Sequence, residues 1–366
     1  MTTRRNFLKS AGSFGGLMFC GCGLPVAAHA QGAAAPARLP VTVKGKKLKT
    51  IDTHSHCFIQ AALDVAGDKL EAVQTPGVLG IEKLVITPEQ RMKEMDAMAV
   101  DMEILSINPW WYGKKEREVA EKITNVQNEK LAELCAQHPE RFGAFASLAL
   151  QFPDLAAQQL ETAVKKLGLK GAAIGGTVAG EDFASPRFHP VWQKAEEVGA
   201  VLFIHPQTQP QLAARYKGNG WLSNTIGNPL DTTIALSKLI FEGTLDKFPG
   251  LKVLAAHGGG YLPSYADRSD HACLAAPANC NIALKKKPTE YLKQLHFDAL
   301  VFTSEAVRHL VAQVGASQVM LGSDHPFPWE QHPVDHIMGS SLSDEDKAAI
   351  LSENAAKLFG IKMSAG

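Results

Sequence analysis

From residue 50 onward the chain alternates two kinds of segment. Short runs of almost wholly apolar, often β-branched residues are separated by longer stretches in which apolar side chains recur every three to four positions. The first kind reads as strands buried on both faces, the second as helices packed across them. Strands are expected near Thr50–Thr53, Met102–Ile107, Phe142–Leu148, Gly171–Gly175, Val201–His205, Leu251–His257, Leu295–Asp298 and Val319–Gly322. Thr87-Pro88-Glu89-Gln90 reads as a capping box with proline at the first helical position, opening a helix through Met98. Further helices are expected at Lys114–Gln137, Leu155–Leu167, Pro190–Val198, Asp231–Lys247, Pro263–Leu274, Ser304–Val314 and Ser343–Phe359. Such alternation over roughly 310 residues predicts an α/β fold, a (β/α)8 TIM barrel spanning residues 50–362. A doubly wound open sheet is the alternative, since alternation alone does not establish closure. No glycine-rich phosphate motif follows the first strand.

Ahead of the barrel lie two segments of different character. Thr3-Arg4-Arg5-Asn6-Phe7-Leu8-Lys9 sets a twin arginine before a weakly apolar stretch, and Ala28-His29-Ala30 supplies a small-residue cleavage site. Residues 1–30 therefore read as a twin-arginine signal peptide, and residues 31–49, rich in Pro, Ala and Lys, as a linker. The apolar run is short and interrupted by Gly and Ser, which argues against a membrane anchor. The expected location is periplasmic or secreted, reached by export of the folded protein.

Charge narrows the partners. The chain of 366 residues balances 37 basic against 37 acidic side chains; removing the signal takes away Arg4, Arg5 and Lys9 and leaves 34 against 37. No polybasic surface results, so neither nucleic acid nor, after signal removal, a membrane is an expected partner. Four cysteines remain, Cys57, Cys135, Cys273 and Cys280, too few for a disulfide scaffold. Cys273 and Cys280 are close enough in sequence to pair, and two free buried thiols are the alternative.

Most of the 13 histidines need no special role. His138, His271, His309, His332 and His336 read as surface or helix-end residues, His189 as a loop residue and His296 as part of a strand. The informative set falls at strand ends: His54 and His56 on the first, His205 on the fifth, His257 on the sixth and Asp324 on the eighth. Residues i and i+2 of a strand point the same way, so His54 and His56 can share one ion. In a closed barrel these ends converge on one mouth, where imidazoles and a carboxylate suit a single divalent transition metal with an open position for water. Singly, each residue would read as a satisfied core histidine or capping aspartate. Together they would each need a separate buried partner, and one metal site is the simpler account.

His54-Ser55-His56, His205-Pro206, His257-Gly258-Gly259-Gly260 and Gly322-Ser323-Asp324, in this order, resemble the amidohydrolase superfamily. More narrowly they are similar to the branch named for aminocarboxymuconate semialdehyde decarboxylase, which also holds γ-resorcylate and 5-carboxyvanillate decarboxylases. Pro88-Glu89-Gln90-Arg91, Trp221-Leu222 before Gly227-Asn228-Pro229, and Pro326-Phe327-Pro328 extend the likeness across nearly all of Thr50 to Phe359. The resemblance implies one Zn²⁺, with Mn²⁺ as the alternative, on His54, His56, His205 and Asp324. It implies His257 as the catalytic acid/base, with Asp324 sharing in proton transfer. Arg91, Arg268, Trp221 and Phe327 are implied at the substrate, Arg268 from the neighbouring subunit of a homodimer. Ala173-Ile174-Gly175-Gly176 ends the fourth strand without the lysine that bridges two metals elsewhere in the superfamily. Two departures bear on the mouth: Gln207-Thr208-Gln209-Pro210 follows His205-Pro206 where the named decarboxylase has Trp-Asp, and His325 stands where tyrosine is usual.

The implied activity is non-oxidative decarboxylation of a small unsaturated or aromatic carboxylic acid. Hydrolysis of an ester, lactone or amide is the alternative, because the same metal shell serves both reactions. A non-catalytic metal- or solute-binding protein is a third class, which has no need of His257.

Overall fold

The computed structural model describes residues 40–70, 77–108, 111–207 and 210–363; the expected twin-arginine signal (1–30) and residues 31–39 of the expected linker lie outside them. Each expected strand forms, with shifted ends: β1 (Ile51–His56), β2 (Met102–Ser106), β3 (Phe142–Ala144), β4 (Gly171–Ile174), β5 (Val201–Ile204), β6 (Lys252–Ala255), β7 (Leu295–Asp298) and β8 (Val319–Met320). All pairing among these eight is parallel. β1, β2 and β3 make one ladder, and β4 to β8 follow one another in a second, β4 beside β5 and β7 beside β8.

Hydrogen bonds also join the outer strands of the two ladders. Ala146, just past β3, accepts from the Ala173 amide at 3.0 Å and donates to Gly171 O at 2.8 Å. On the other side Thr53 N donates to Leu321 O at 2.9 Å, Asp324 N to His54 O at 2.8 Å and His56 N to His325 O at 2.7 Å. β3 and β8 are shorter than expected because the chain leaves regular ladder geometry early at both joints.

Alternation along the strands divides their side chains between two buried clusters. Ile51, Ile104, Phe145, Phe203 and Leu254 belong to one, capped by Phe359. Leu105, Ala144, Leu202, Ile204 and Val253 turn the other way, against the helices. Within the first cluster Phe145 stacks on Phe203 at 5.3 Å, and Phe203 meets the His54 ring edge-on at 5.0 Å. The metal-site histidines therefore stand directly on an apolar floor.

Among the described residues the helices of ten residues or more are α1 (Pro88–Met98), α2 (Arg117–Gln137), α3 (Pro153–Lys165), α4 (His189–Val198), α5 (Asn228–Phe241), α6 (Leu262–Ala275) and α7 (Ser304–Val314). The single helix expected at Asp231–Lys247 breaks: α5 stops at Phe241, Gly243 adopts φ 69°, and a short helix, Thr244–Lys247, follows. Helix α1 starts at Pro88 as expected, but the Thr87 side chain accepts no capping hydrogen bond. Proline at the first position, whose missing N–H would be unpaired anyway, accounts for that start without a box. The C-terminal stretch runs Asp344–Ala348, a π turn at Ala349–Glu353, then Asn354–Phe359. Among the described residues no helix is long and apolar enough to cross a membrane. Cys273 at the end of α6 pairs with Cys280, so the free-thiol alternative falls away; Cys57 and Cys135 remain free. His336 corrects its surface reading: it is buried, and Nε2 donates to Ala299 O at 2.8 Å.

Candidate metal centre

His54, His205, His257 and Asp324 each bring a ligand atom within 4.8 Å of the others, and His56 adjoins them. Asp324 Oδ1 lies 3.2 Å from His54 Nε2 and 2.8 Å from His56 Nε2, and the two Nε2 atoms are 3.1 Å apart. The i, i+2 spacing on β1 thus does place both imidazoles at one point.

Supporting contacts decide which ring nitrogens carry protons. The buried Asp298 carboxylate, on β7, sits 2.6 Å from His54 Nδ1 and accepts from it. Ser106 Oγ donates to Ser55 O at 2.8 Å, so at 2.9 Å it accepts from His56 Nδ1. Pro206 O, 3.1 Å from His205 Nδ1, can only accept. Each ring therefore holds its neutral-state proton on Nδ1 and carries its lone pair on Nε2. For His54 and His56 these lone pairs face a carboxylate oxygen at hydrogen-bond distance, and acceptors so placed need a cation between them. The donor set fits a divalent transition metal, and the chain carries a divalent-metal site.

Electrostatics without the ion agree. Burial disfavours charge on His54, yet Asp324 and Asp298 outweigh it and push its pKa up to about 10. Burial lowers His56 to about 4 against the pull of Asp324, and sends His205 well below its usual range. The site concentrates demand for positive charge at one ring, beside the Asp324 carboxylate, which His54 keeps ionised against the cost of its own burial.

Two of these residues sit on strained backbone. His257 (φ 55°) and Asp324 (φ 61°) occupy the left-handed region, a conformation that costs on the order of 1–2 kcal/mol for a side chain other than glycine. The turn after β6 lifts His257 away from the ladder. Its amide and that of Gly258 donate to Asp298 at 2.9 Å each, its Nε2 is 3.9 Å from Asp324 Oδ2, and its buried Nδ1 makes no hydrogen bond. Asp298 thus braces both His54 and His257. It was missed at the sequence level, although a carboxylate ending an apolar strand carried the same signal as Asp324.

β4 ends in Gly175 and Gly176 rather than a lysine, and a larger side chain at either would need Gln207 or Asp231 to move. A Cβ on Gly175 would meet Gln207 Nε2 at 1.9 Å, and one on Gly176 would meet Asp231 Oδ2 at 2.4 Å.

A cleft opens onto the centre, lined by His205, His257 and Asp324 with Asn108, Asn224, Asn228, Trp221, Phe327 and Trp329 among others. Trp221 and Phe327 both line this cleft, as does Trp329, which stacks on Trp221 at 5.6 Å and 11°. Neither arginine lines the cleft. Arg268 is exposed on α6. Arg91 is 3% exposed, with Nε on Glu103 Oε2 at 2.7 Å and Nη2 on His325 O at 3.1 Å. Two of its guanidinium nitrogens thus hold the strand ends, and its buried Nη1 makes no hydrogen bond. His325 likewise turns from the mouth, its Nδ1 2.7 Å from Glu103 Oε1 and its Nε2 3.1 Å from Glu94 Oε2. Arg91→Ala would uncover one side of a buried carboxylate, and we expect it to lower unfolding free energy by about 3–5 kcal/mol. A shift of the denaturant midpoint at constant m-value is the measurement; an unchanged midpoint would contradict it.

The family model described as Amidohydrolase matches residues 51–361, and the chain belongs to that family. It is 31% identical over 283 residues to 2-amino-3-carboxymuconate-6-semialdehyde decarboxylase of Dictyostelium discoideum, covering 75% of this chain and 77% of that one. Among solved structures, 5-carboxyvanillate decarboxylase from Sphingomonas paucimobilis superposes with TM-score 0.79 at 26% identity, over 86% of this chain and 100% of the other. Dihydroxybenzoic acid decarboxylase from Polaromonas sp. JS666, with bound manganese and the inhibitor 2-nitroresorcinol, gives TM-score 0.76 at 26% identity, over 87% and 98%.

Proposed function

We infer that this protein is a metal-dependent non-oxidative decarboxylase of a small aromatic or unsaturated carboxylic acid, its eight strands closed into a (β/α)8 barrel with the centre at their C-terminal mouth. One observation carries the reading: His54, His56, His205, His257 and Asp324 converge at one end of a parallel sheet, in a chain similar over most of its length to carboxy-lyases. His54, His56, His205 and Asp324 would hold the divalent metal, Zn²⁺ or Mn²⁺, which when bound would supply Lewis-acid polarisation of a substrate oxygen. His257, partly exposed to the cleft and fixed through its amide by Asp298, gives a proton to the carbon that bears the carboxylate. The carbon–carbon bond then breaks, its electron pair returns to the unsaturated system, and CO₂ leaves. Asp324, 3.9 Å from His257 Nε2, is placed to share in the proton transfer, and His257 regains its proton from solvent in the cleft. Trp221 and Phe327 form walls against which a flat substrate lies. The test is CO₂ release by the metal-loaded protein from hydroxybenzoates and muconates; ester, lactone or amide hydrolysis without CO₂ would overturn the assignment.

Arg268 belongs to this reading as the residue a neighbouring subunit lends. It is exposed, lies outside its own cleft, and a homodimer docked on α6 would carry it to a second mouth. Inactive His257→Ala and Arg268→Ala chains, mixed and allowed to exchange, should regain part of the activity. Mixed dimers that form and stay inactive would confine Arg268 to its own chain.

Export by the twin-arginine route completes the proposal. The Cys273–Cys280 bridge supports it, because such bonds persist in oxidising compartments. Arg4→Lys with Arg5→Lys should leave the precursor in the cytoplasm, and undiminished export would count against the route.

A further inference from the structure

Charge is distributed unevenly around the cleft. No lysine or arginine appears among its described lining residues. The internal stretches 71–76, 109–110 and 208–209 contain none in sequence either. What the walls offer beyond the metal centre is carboxamide and indole. Asn108, Asn224 and Asn228 line one part, and Asn108 is 5% exposed with a buried Oδ1 that has no hydrogen-bond partner. Trp221 and Trp329 form a flat stacked wall, and Trp221 holds a left-handed φ of 48° to do so. Val78 and Ile81 add aliphatic surface.

We propose that this cleft selects a hydroxylated aromatic acid with a single carboxylate and rejects its dicarboxylate counterpart, the asparagine carboxamides reading the ring hydroxyls. The inference rests on the decarboxylase reading for the position of the reacting carboxylate and deepens it. The metal centre that would receive that carboxylate, and at most one guanidinium from Arg268 of a partner subunit, are the positive charge on hand. A second carboxylate would be buried against amides and indoles with no cation among the cleft's own lining residues to balance it, and a buried unpaired charge is strongly disfavoured. A phenolic hydroxyl differs: it both donates and accepts, as a carboxamide does, and Asn108 Oδ1 is an acceptor still lacking a donor. The stacked indoles present a π face to an aromatic ring, for which offset stacking is the favoured contact.

Calorimetric titration of the metal-loaded protein reads binding independently of turnover. The matched ligands are 2-hydroxybenzoate and 4-hydroxyisophthalate, the same phenol with a second carboxylate. The first should bind at least about tenfold more tightly. Equal or tighter binding of the dicarboxylate, or no binding of either, overturns the inference. Preference for the monocarboxylate without CO₂ release from any ligand would sink the decarboxylase reading and leave the selectivity standing. Val78→Arg should shift the ratio toward the dicarboxylate by about tenfold by supplying the missing cation. Asn108→Leu should weaken 2,6-dihydroxybenzoate about tenfold and leave benzoate unchanged; equal losses for both would assign Asn108 to packing and remove its part in recognition.

Discussion

Asp324→Ala is expected to yield a folded protein that no longer retains a divalent metal through dialysis and shows no measurable turnover. Asp324 is the carboxylate among the converging ligands, and its Oδ1 is the point toward which the lone pairs of His54 and His56 are aimed. Without it, the imidazoles keep their geometry but lose the negative charge that offsets a dication in a buried site. Losing even a supporting contact commonly costs ten- to a hundredfold in metal affinity, so loss of the charged ligand should exceed roughly a hundredfold. Asp324→Asn separates charge from shape, since it keeps the side-chain outline while removing the anion. Elemental analysis after dialysis decides the matter, and full metal content in both variants would move the centre elsewhere.

His257→Gln should behave differently, keeping its metal while kcat falls by about 10² to 10⁴, the range over which a positioned acid/base contributes. The geometry makes this a real test, because a nitrogen of His257 lies within 4.8 Å of ligand atoms of His54, His205 and Asp324. Distance alone would admit His257 as a ligand in place of His56. The contacts argue otherwise. His56 Nε2 is 2.8 Å from Asp324 Oδ1, whereas His257 Nε2 stands 3.9 Å from Oδ2 and its ring faces the cleft. If metal and turnover are lost together in His257→Gln, the ligand set must be redrawn with His257 in it.

Much of this was legible in the sequence because both signals are short-range. Apolar runs gave the strands, and a polar residue at the end of such a run marked the centre, including the His54/His56 pair whose convergence follows from strand period alone. Asp298 obeyed the same rule in Leu295-His296-Phe297-Asp298 and was passed over, since nothing in the run tells a ligand from the residue that orients one. Arg91 shows the limit from the other side. Its neighbours in sequence describe an ordinary helix start, and its partner Glu103 lies on β2, so only the packing of α1 against the strands brings them together. His325 escaped for the same reason, held by Glu94 and Glu103 from two separate elements. The stacking of Trp221 on Trp329 joins loops far apart in the chain, and no periodicity announces it.

Asp298 couples more than it appears to at first sight. One oxygen receives His54 Nδ1 and the His257 amide, and the other the amides of Gly258 and Leu300. The proposed metal ligand His54 and the proposed proton carrier His257 are thereby bolted to one carboxylate, and neither can be repositioned without the other. Evolution, or an engineer, therefore inherits the chemistry as an indivisible block. The surfaces that contact the rest of a substrate, around Val78, Asn108, Asn224 and Trp329, hang on separate loops outside that block. New substrates are thus reachable by exchanging loop residues one at a time, while the reaction itself is inherited whole.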